Sequence, residues 1–459
     1  MKLGRVGAVI VCVGFLVSGR AWAGDPEQDL VTAVRDGDAA RVSRLLKDGA
    51  DAMAGGDEGE SGSAAARAIW YGDPAIVKAM MDGGVDFKKV DSSGWNGLDL
   101  AMYRTDPPPQ LVKLYLDAGL TLGTEHFPGL TALMSPAATR SVEIARLLIE
   151  RGEDVNELSK SKHWSPLTLT AEYGSAAVVE LLLEKGADPQ LRAGGRSAIH
   201  CAAGRGGEEA ARMIRALLKS RVDVDRADKD GWTPLMYAAG SSGEQAVAAL
   251  IDGGADVNKA GVGGLRPLHV AAIYGNAAVL RQLIAAGAKV NERDDQDRTA
   301  LMWVLSVSDP AQYCRWVRRA GAGRDLPTGE VAILRRIELQ DPMGKVRLLL
   351  QAKSDVNAPD ESGWTPLMLA AFMWDSSKLQ SQLRGKREDG LEWDQAAWDA
   401  FAAKHNAEDV VKALIEAGAE RADSGQPHGE MDVAAQRSDE HREAILGMIR
   451  LARVRIDSN

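Results

Sequence analysis

Asp230-Gly231-Trp232-Thr233-Pro234-Leu235-Met236-Tyr237-Ala238-Ala239 is the stretch on which the fold turns. Thr233 followed by Pro234 reads as a helix start: the hydroxyl accepts from an orphaned backbone N–H, and Pro at the first helical position lacks a donor that had no partner. Leu235, Met236, Ala238 and Ala239 then form a small apolar face, and Gly243 interrupts the helix. Ala246, Val247, Ala249, Leu250 and Ile251 begin a second face at helical spacing, closed by Gly254 where a left-handed cap is wanted. Helices of about two to three turns are marginal alone, so their stability has to come from stacked neighbours.

The same grammar recurs in both directions along the chain. The helix-start mark returns as Asn96-Gly97-Leu98, Thr131-Ala132-Leu133, Ser165-Pro166-Leu167, Ser197-Ala198-Ile199, Arg266-Pro267-Leu268, Thr299-Ala300-Leu301 and Thr365-Pro366-Leu367. A second series, Asp51-Ala52, Asp86-Phe87, Thr121-Leu122, Asp154-Val155-Asn156, Asp188-Pro189, Asp223-Val224-Asp225, Asp256-Val257-Asn258, Lys289-Val290-Asn291 and Asp355-Val356-Asn357, keeps the same phase at intervals of 35, 35, 33, 34, 35, 33, 33 and 66. Two series in one phase define a repeat unit, and the final interval, twice 33, predicts a degenerate unit near Ala322.

On these residues, above all Asp230 to Ala239, Arg266-Pro267-Leu268-His269-Val270-Ala271-Ala272 and the Gly-Ala-Asp-Val-Asn endings, the chain resembles the ankyrin-repeat family from about Asp29 to about Ile449. The resemblance implies an all-α repeat solenoid of stacked helix-turn-helix units with β-hairpin tips, about twelve units in residues 24–459. It departs from the family where the His after the inter-helix Gly is missing, as in Gly72-Asp73, Gly174-Ser175 and Gly275-Asn276. Arg324 to Pro342 reads as irregular and Asp375 to Asp394 as an insertion, with polar capping units expected around Leu30 to Asp51 and Met431 to Ile449.

Residues 1–23 read as a secretory signal peptide: basic Lys2 and Arg5, an apolar run from Val6 to Val17, and an Ala21-Trp22-Ala23 cleavage site before Gly24. That run is too short to span a membrane, so export to the periplasm or beyond, without membrane insertion after cleavage, is the expectation. Cys201 and Cys314 then meet oxidising conditions, but more than three stacked units separate them, which predicts free thiols. With 45% hydrophobic and 26% charged residues the chain should fold, and a net charge of −10, or −13 once the leader is removed, argues against nucleic acid.

Neither catalytic nor metal-binding chemistry is legible. The seven His residues fall in different units, and His200 and His269 occupy the fourth motif position, where the family braces neighbouring loops. Nucleophile elbow, zinc helix and phosphate loop are all missing, so an enzyme, a metal and a cofactor are not expected. Binding is the reading that remains: a protein partner of unstated identity, shielded, inhibited or assisted, with an envelope scaffold holding several weak partners as the alternative.

The residues proposed for that binding stand just before the helix-start marks. Trp95, Trp164, Trp232, Arg298 and Trp364 are spaced 69, 68, 66 and 66 residues apart, a large planar side chain in every second unit. Leu130, Arg196 and Leu265 hold the intervening places. Trp and Arg are the residue types richest at interface hot spots. Tyr71, Tyr173 and Tyr274 precede inter-helix glycines and are expected at the groove or its rim. A basic excess from Arg315 to Arg347 reads either as a docking patch or as a solvated helix face.

Overall fold

The computed structural model describes residues 25–54, 63–88, 95–123, 129–160, 163–306, 341–361, 363–373 and 407–419. Contacts divide the chain into two compact units, one running to Pro128 with Ser135–Ala138, the other made of Gly129–Met134 and everything from Thr139.

The first unit holds three helix pairs, α1 (Pro26–Arg35) with α2 (Ala39–Lys47), α3 (Ala64–Tyr71) with α4 (Pro74–Asp82), and α5 (Gly97–Tyr103) with α6 (Pro109–Asp117). First helices stack as α1, α3, α5 and second helices as α2, α4, α6. Side chains of Asp25, Asp38, Ser63, Asp73 and Asn96 accept from first-turn N–H groups, as short helices require. Tyr115 is among the largest fully buried side chains, its ring centroid 5.5 Å from that of Phe87. Gly97 is obligatory there, since a Cβ would lie 2.6 Å from the Tyr115 ring.

The second unit repeats the scheme. After a 3-10 turn at Ala132–Met134 and the helix Pro136–Arg140 (α7), whose first three residues group with the first unit, Val142–Glu150 (α8) leads to α9 (Pro166–Tyr173) and α10 (Ala176–Glu184). An antiparallel pair, β1 (Arg192–Ala193) and β2 (Arg196–Ser197), joins Arg192 to Ser197 and Ala193 to Arg196. Next come α11 (Ala198–Arg205), α12 (Gly207–Lys219), α13 (Pro234–Gly240), α14 (Glu244–Asp252), α15 (Pro267–Ile273), α16 (Ala277–Ala285) and α17 (Ala300–Ser306). Helices Pro342–Gln351, Pro366–Met373 and Ala407–Glu416 follow. First helices stack in the order α9, α11, α13, α15, α17, Pro366–Met373, while α8, α10, α12, α14, α16, Pro342–Gln351 and Ala407–Glu416 form the second row. The fold is an all-α repeat solenoid of helix-turn-helix modules.

What stitches module to module is a ladder of asparagines. Asn156 donates from Nδ2 to Gly186 O and accepts at Oδ1 from Asp188 N. Asn258 does the same with Gly287 O and Lys289 N, at 3.1 and 2.8 Å. Asn291 reaches Lys353 O and Asp355 N, and Asn357 reaches Gly418 O.

The Asn291 rung crosses the interval of 66, bonding directly over 62 and 64 residues. Helix α17 packs on Pro342–Gln351, so these two are the halves of one module, and residues 307–340 enter between them. Pro366–Met373 and Ala407–Glu416 pair in the same way, with residues 374–406 between them. The unit expected near Ala322, the irregular stretch from Arg324, the insertion at Asp375 to Asp394, the final cap, Cys314 and the leader lie outside the described residues.

Candidate protein-binding surface

Trp164, Trp232, Arg298 and Trp364 sit on tips closed in the same way. The backbone of Asp228 exchanges with Trp232, donating to its carbonyl at 2.9 Å, while Asp228 Oδ1 accepts the Trp232 N–H at 2.8 Å. Asp294 closes the tip before Arg298 with the same pair of bonds, Asp360 that before Trp364, and Ser159 Oγ substitutes before Trp164. Asp228, Asp294 and Asp360 are buried. A short side chain two atoms from the backbone can satisfy N–H groups that a tight turn would leave open, which is why Asp and Ser recur here.

The second oxygen of the tip aspartate fixes what lies beneath the anchor. Asp228 Oδ2 accepts from Tyr237 Oη at 2.7 Å, and Asp294 Oδ2 from Trp303 Nε1 at 2.7 Å. Those two rings back the anchors directly: Trp232 lies 5.5 Å from Tyr237, and the Arg298 guanidinium stands 5.0 Å over Trp303. Arg298 also pairs with Asp360 at 3.5 Å, tying one tip to the next. Burial, then the Asp228 bond, push the Tyr237 phenol well above its ordinary range, so it is a fixed donor.

Trp164 packs against Tyr173 at 6.5 Å. In the first unit Trp95 meets Tyr103 edge-on at 5.5 Å. Trp95, Trp164, Trp232, Arg298 and Trp364 are all half-buried. Tyr71 and Tyr173 are each 52% exposed, whereas Tyr274 is buried at 6%, its Cβ packed over Gly240.

Arg196, at an intervening place, completes the strip in the second unit. Its guanidinium lies 5.9 Å over the Tyr237 ring and 3.5 Å from Glu172, the neighbour of Tyr173. Trp164, Tyr173, Glu172, Arg196, Tyr237 and Trp232 thus form a chain of aromatic and ionic contacts. Tyr237 and Trp303 follow their anchors by five residues, a spacing available in the sequence. Glu172 carries no such signal, because nothing local connects it to Arg196.

The motif histidines brace the tips. His269 accepts the Arg266 N–H at Nδ1 (3.1 Å), leaving the proton on Nε2, 3.0 Å from Glu292 O. His200 uses Nδ1 toward Ser197 N and Oγ at 3.2 and 2.9 Å, and burial drives its imidazole down to about 4. Cys201 is buried and free. Lys345 is buried with Nζ 2.9 Å from Ala272 O, so it takes no part in a basic surface patch, while Arg347 is exposed. Among the described residues no group of three His, Cys, Asp or Glu is placed to hold a metal ion, and no helix is long and apolar enough to cross a membrane.

Comparison with known proteins agrees with this architecture. A family model of three ankyrin-repeat copies matches residues 98–193 and 190–261, and a single-repeat model matches 263–295. The B-cell lymphoma 3 protein homolog of Mus musculus is 30% identical over 168 residues, 36% of this chain and 37% of that protein. A putative ankyrin repeat-containing protein of Treponema pallidum is 33% identical over 129 residues, covering 28% and 42%. The ankyrin repeat protein nuc-2 of Neurospora crassa is 27% identical over 213 residues, 46% of this chain and 19% of the relative. The chain therefore spans less than half the length of these relatives. Residues 98–261 and 263–295 are ankyrin repeats, and what they build is a protein–protein interaction module.

Proposed function

We propose that this chain is exported and binds one specific partner protein through the strip of Trp164, Tyr173, Arg196, Trp232 and Arg298, shielding, inhibiting or assisting that partner. The observation that carries the reading is the backing of the anchors: Trp232 on Tyr237 and Arg298 on Trp303, each hydrogen-bonded to a buried aspartate. Large side chains already held in place lose little rotamer freedom on contact, so their buried area is returned as affinity. Export is supported by the basic, apolar and small-residue order of Lys2 to Ala23.

The test is capture of a stoichiometric partner from an envelope extract, followed by its affinity for Trp232→Ala and Arg196→Ala. Each substitution should weaken binding by about tenfold or more with the melting temperature nearly unchanged. An unchanged affinity removes that residue from the contact surface, and several weak, substoichiometric partners would favour a scaffold. Intact mass of the secreted chain should correspond to a start at Gly24.

A further inference from the structure

Large exposed rings in the first unit are clustered on adjoining first helices. Trp70 and Tyr103 both stand seven residues after a helix cap, Ser63 and Asn96, on adjoining first helices α3 and α5. They are 63% and 59% exposed, and Tyr71 beside them 52%. At the corresponding place α9, α11, α13, α15 and α17 carry Glu172, Gly204, Gly240, Ile273 and Ser306. Stacked helices lie about 10 Å apart, so the two rings repeat along one edge at that interval.

The edge is held rigid from behind. Arg104 donates from one guanidinium nitrogen to Ile69 O at 2.9 Å and Trp70 O at 2.7 Å, closing the C-terminal end of α3, and Trp95 props Tyr103 edge-on. Both bonds commit Arg104 to backbone carbonyls. The loops that follow α1, α3 and α5 carry Asp36, Asp38, Asp73 and Asp106. Residues 25–123 hold 17 Asp and Glu against 10 Lys and Arg, so −7 of the chain's −10 is concentrated here.

We infer that the Trp70, Tyr71 and Tyr103 edge docks a Lys- and Arg-rich segment of a protein partner. An exposed ring attracts a cation over its face, and a carboxylate within reach supplies the second attraction that a guanidinium or ammonium needs. Exposed apolar rings of this size on a folded chain mark interaction surfaces. This inference refines the partner-binding reading above with a second surface, and rests on that reading for its biological meaning only.

The probe is an octa-arginine peptide titrated calorimetrically into the full chain, with an octaglutamate peptide alongside. The expected result is binding of octa-arginine alone, weakened about tenfold by Trp70→Ala combined with Tyr103→Ala and unchanged by Trp232→Ala. Circular dichroism melts of the double variant confirm its fold, and single Trp70→Leu, which keeps apolar bulk but removes the ring, serves if the double variant unfolds. No octa-arginine binding, equal octaglutamate binding, or affinity indifferent to both ring substitutions overturns the inference. Failure of the anchor strip is read separately, from Trp232→Ala and the captured partner.

Discussion

Trp232 illustrates how a residue at a variable place becomes a defined contact. Its N–H is held by Asp228, its ring rests on Tyr237, and Tyr237 is in turn held by the other oxygen of the same aspartate. Removing the Tyr237 hydroxyl leaves a buried carboxylate oxygen short of a donor, so Tyr237→Phe should cost roughly 1–3 kcal/mol in urea unfolding. The same change should weaken partner affinity without touching the anchor itself. His200 carries the clearest pH dependence. Burial holds its imidazole near 4 against an ordinary value of 6.5, so between these values only the unfolded chain takes up the proton. Stability contributed here is present above about pH 6.5 and is lost as pH falls toward 4, by about 1.4 kcal/mol per unit at most. His269 shifts in the same direction, for burial first. Denaturation midpoints followed from pH 7 to 4.5 should show this slope, and a flatter slope in His200→Gln identifies its source.

The helices are short, and the bonds between modules matter more than those within them. Asn258 satisfies one carbonyl and one N–H of the following module at 3.1 and 2.8 Å. Asn258→Ala leaves both open, although water can reach this exposed edge, so a loss of about 1 kcal/mol is expected from chemical unfolding. A related device closes first-helix ends: Arg104 donates to Ile69 O and Trp70 O, and Arg205 to Gly174 O at 2.6 Å. Both stand eight residues after their caps, Asn96 and Ser197, so each reaches back one module. Lys345 caps Ala272 O from the helix Pro342–Gln351, where α10 and α16 carry Val178 and Val279. Burial brings its ammonium down to about 7, so between pH 7 and about 10 the unfolded chain binds the extra proton and stability rises with pH. Lys345→Met should therefore be relatively more stable than the parent at pH 7, with the advantage shrinking by pH 10.

At the scale of the whole molecule, stability in a stacked array is a sum of module terms and neighbour interfaces, so damage stays local. Asn291→Ala removes the rung to Lys353 O and Asp355 N. Hydrogen exchange should quicken in Pro342–Gln351 and Pro366–Met373 while α9 to α12 keep their protection; uniform loss of protection would show one cooperative block instead. The period, the helix pairs and the places of Trp164, Trp232 and Arg298 just before their helix starts were legible in the residues, because stacking imposes the same demand on every module: a cap, a small apolar face, a glycine, a second face. Composition and spacing record such a demand directly. Three things were decided only in space. Tyr274 is buried although Tyr173 at the same place is exposed, since the packing around each module is supplied by side chains of its neighbours. Arg196 joins the aromatic strip through Glu172 and Tyr237, which lie 24 residues before it and 41 after. And Asn291 bonds to Lys353 O and Asp355 N, 62 and 64 residues on: a linear count records how many residues separate two rungs, whereas hydrogen bonds form only between backbones that have been brought face to face.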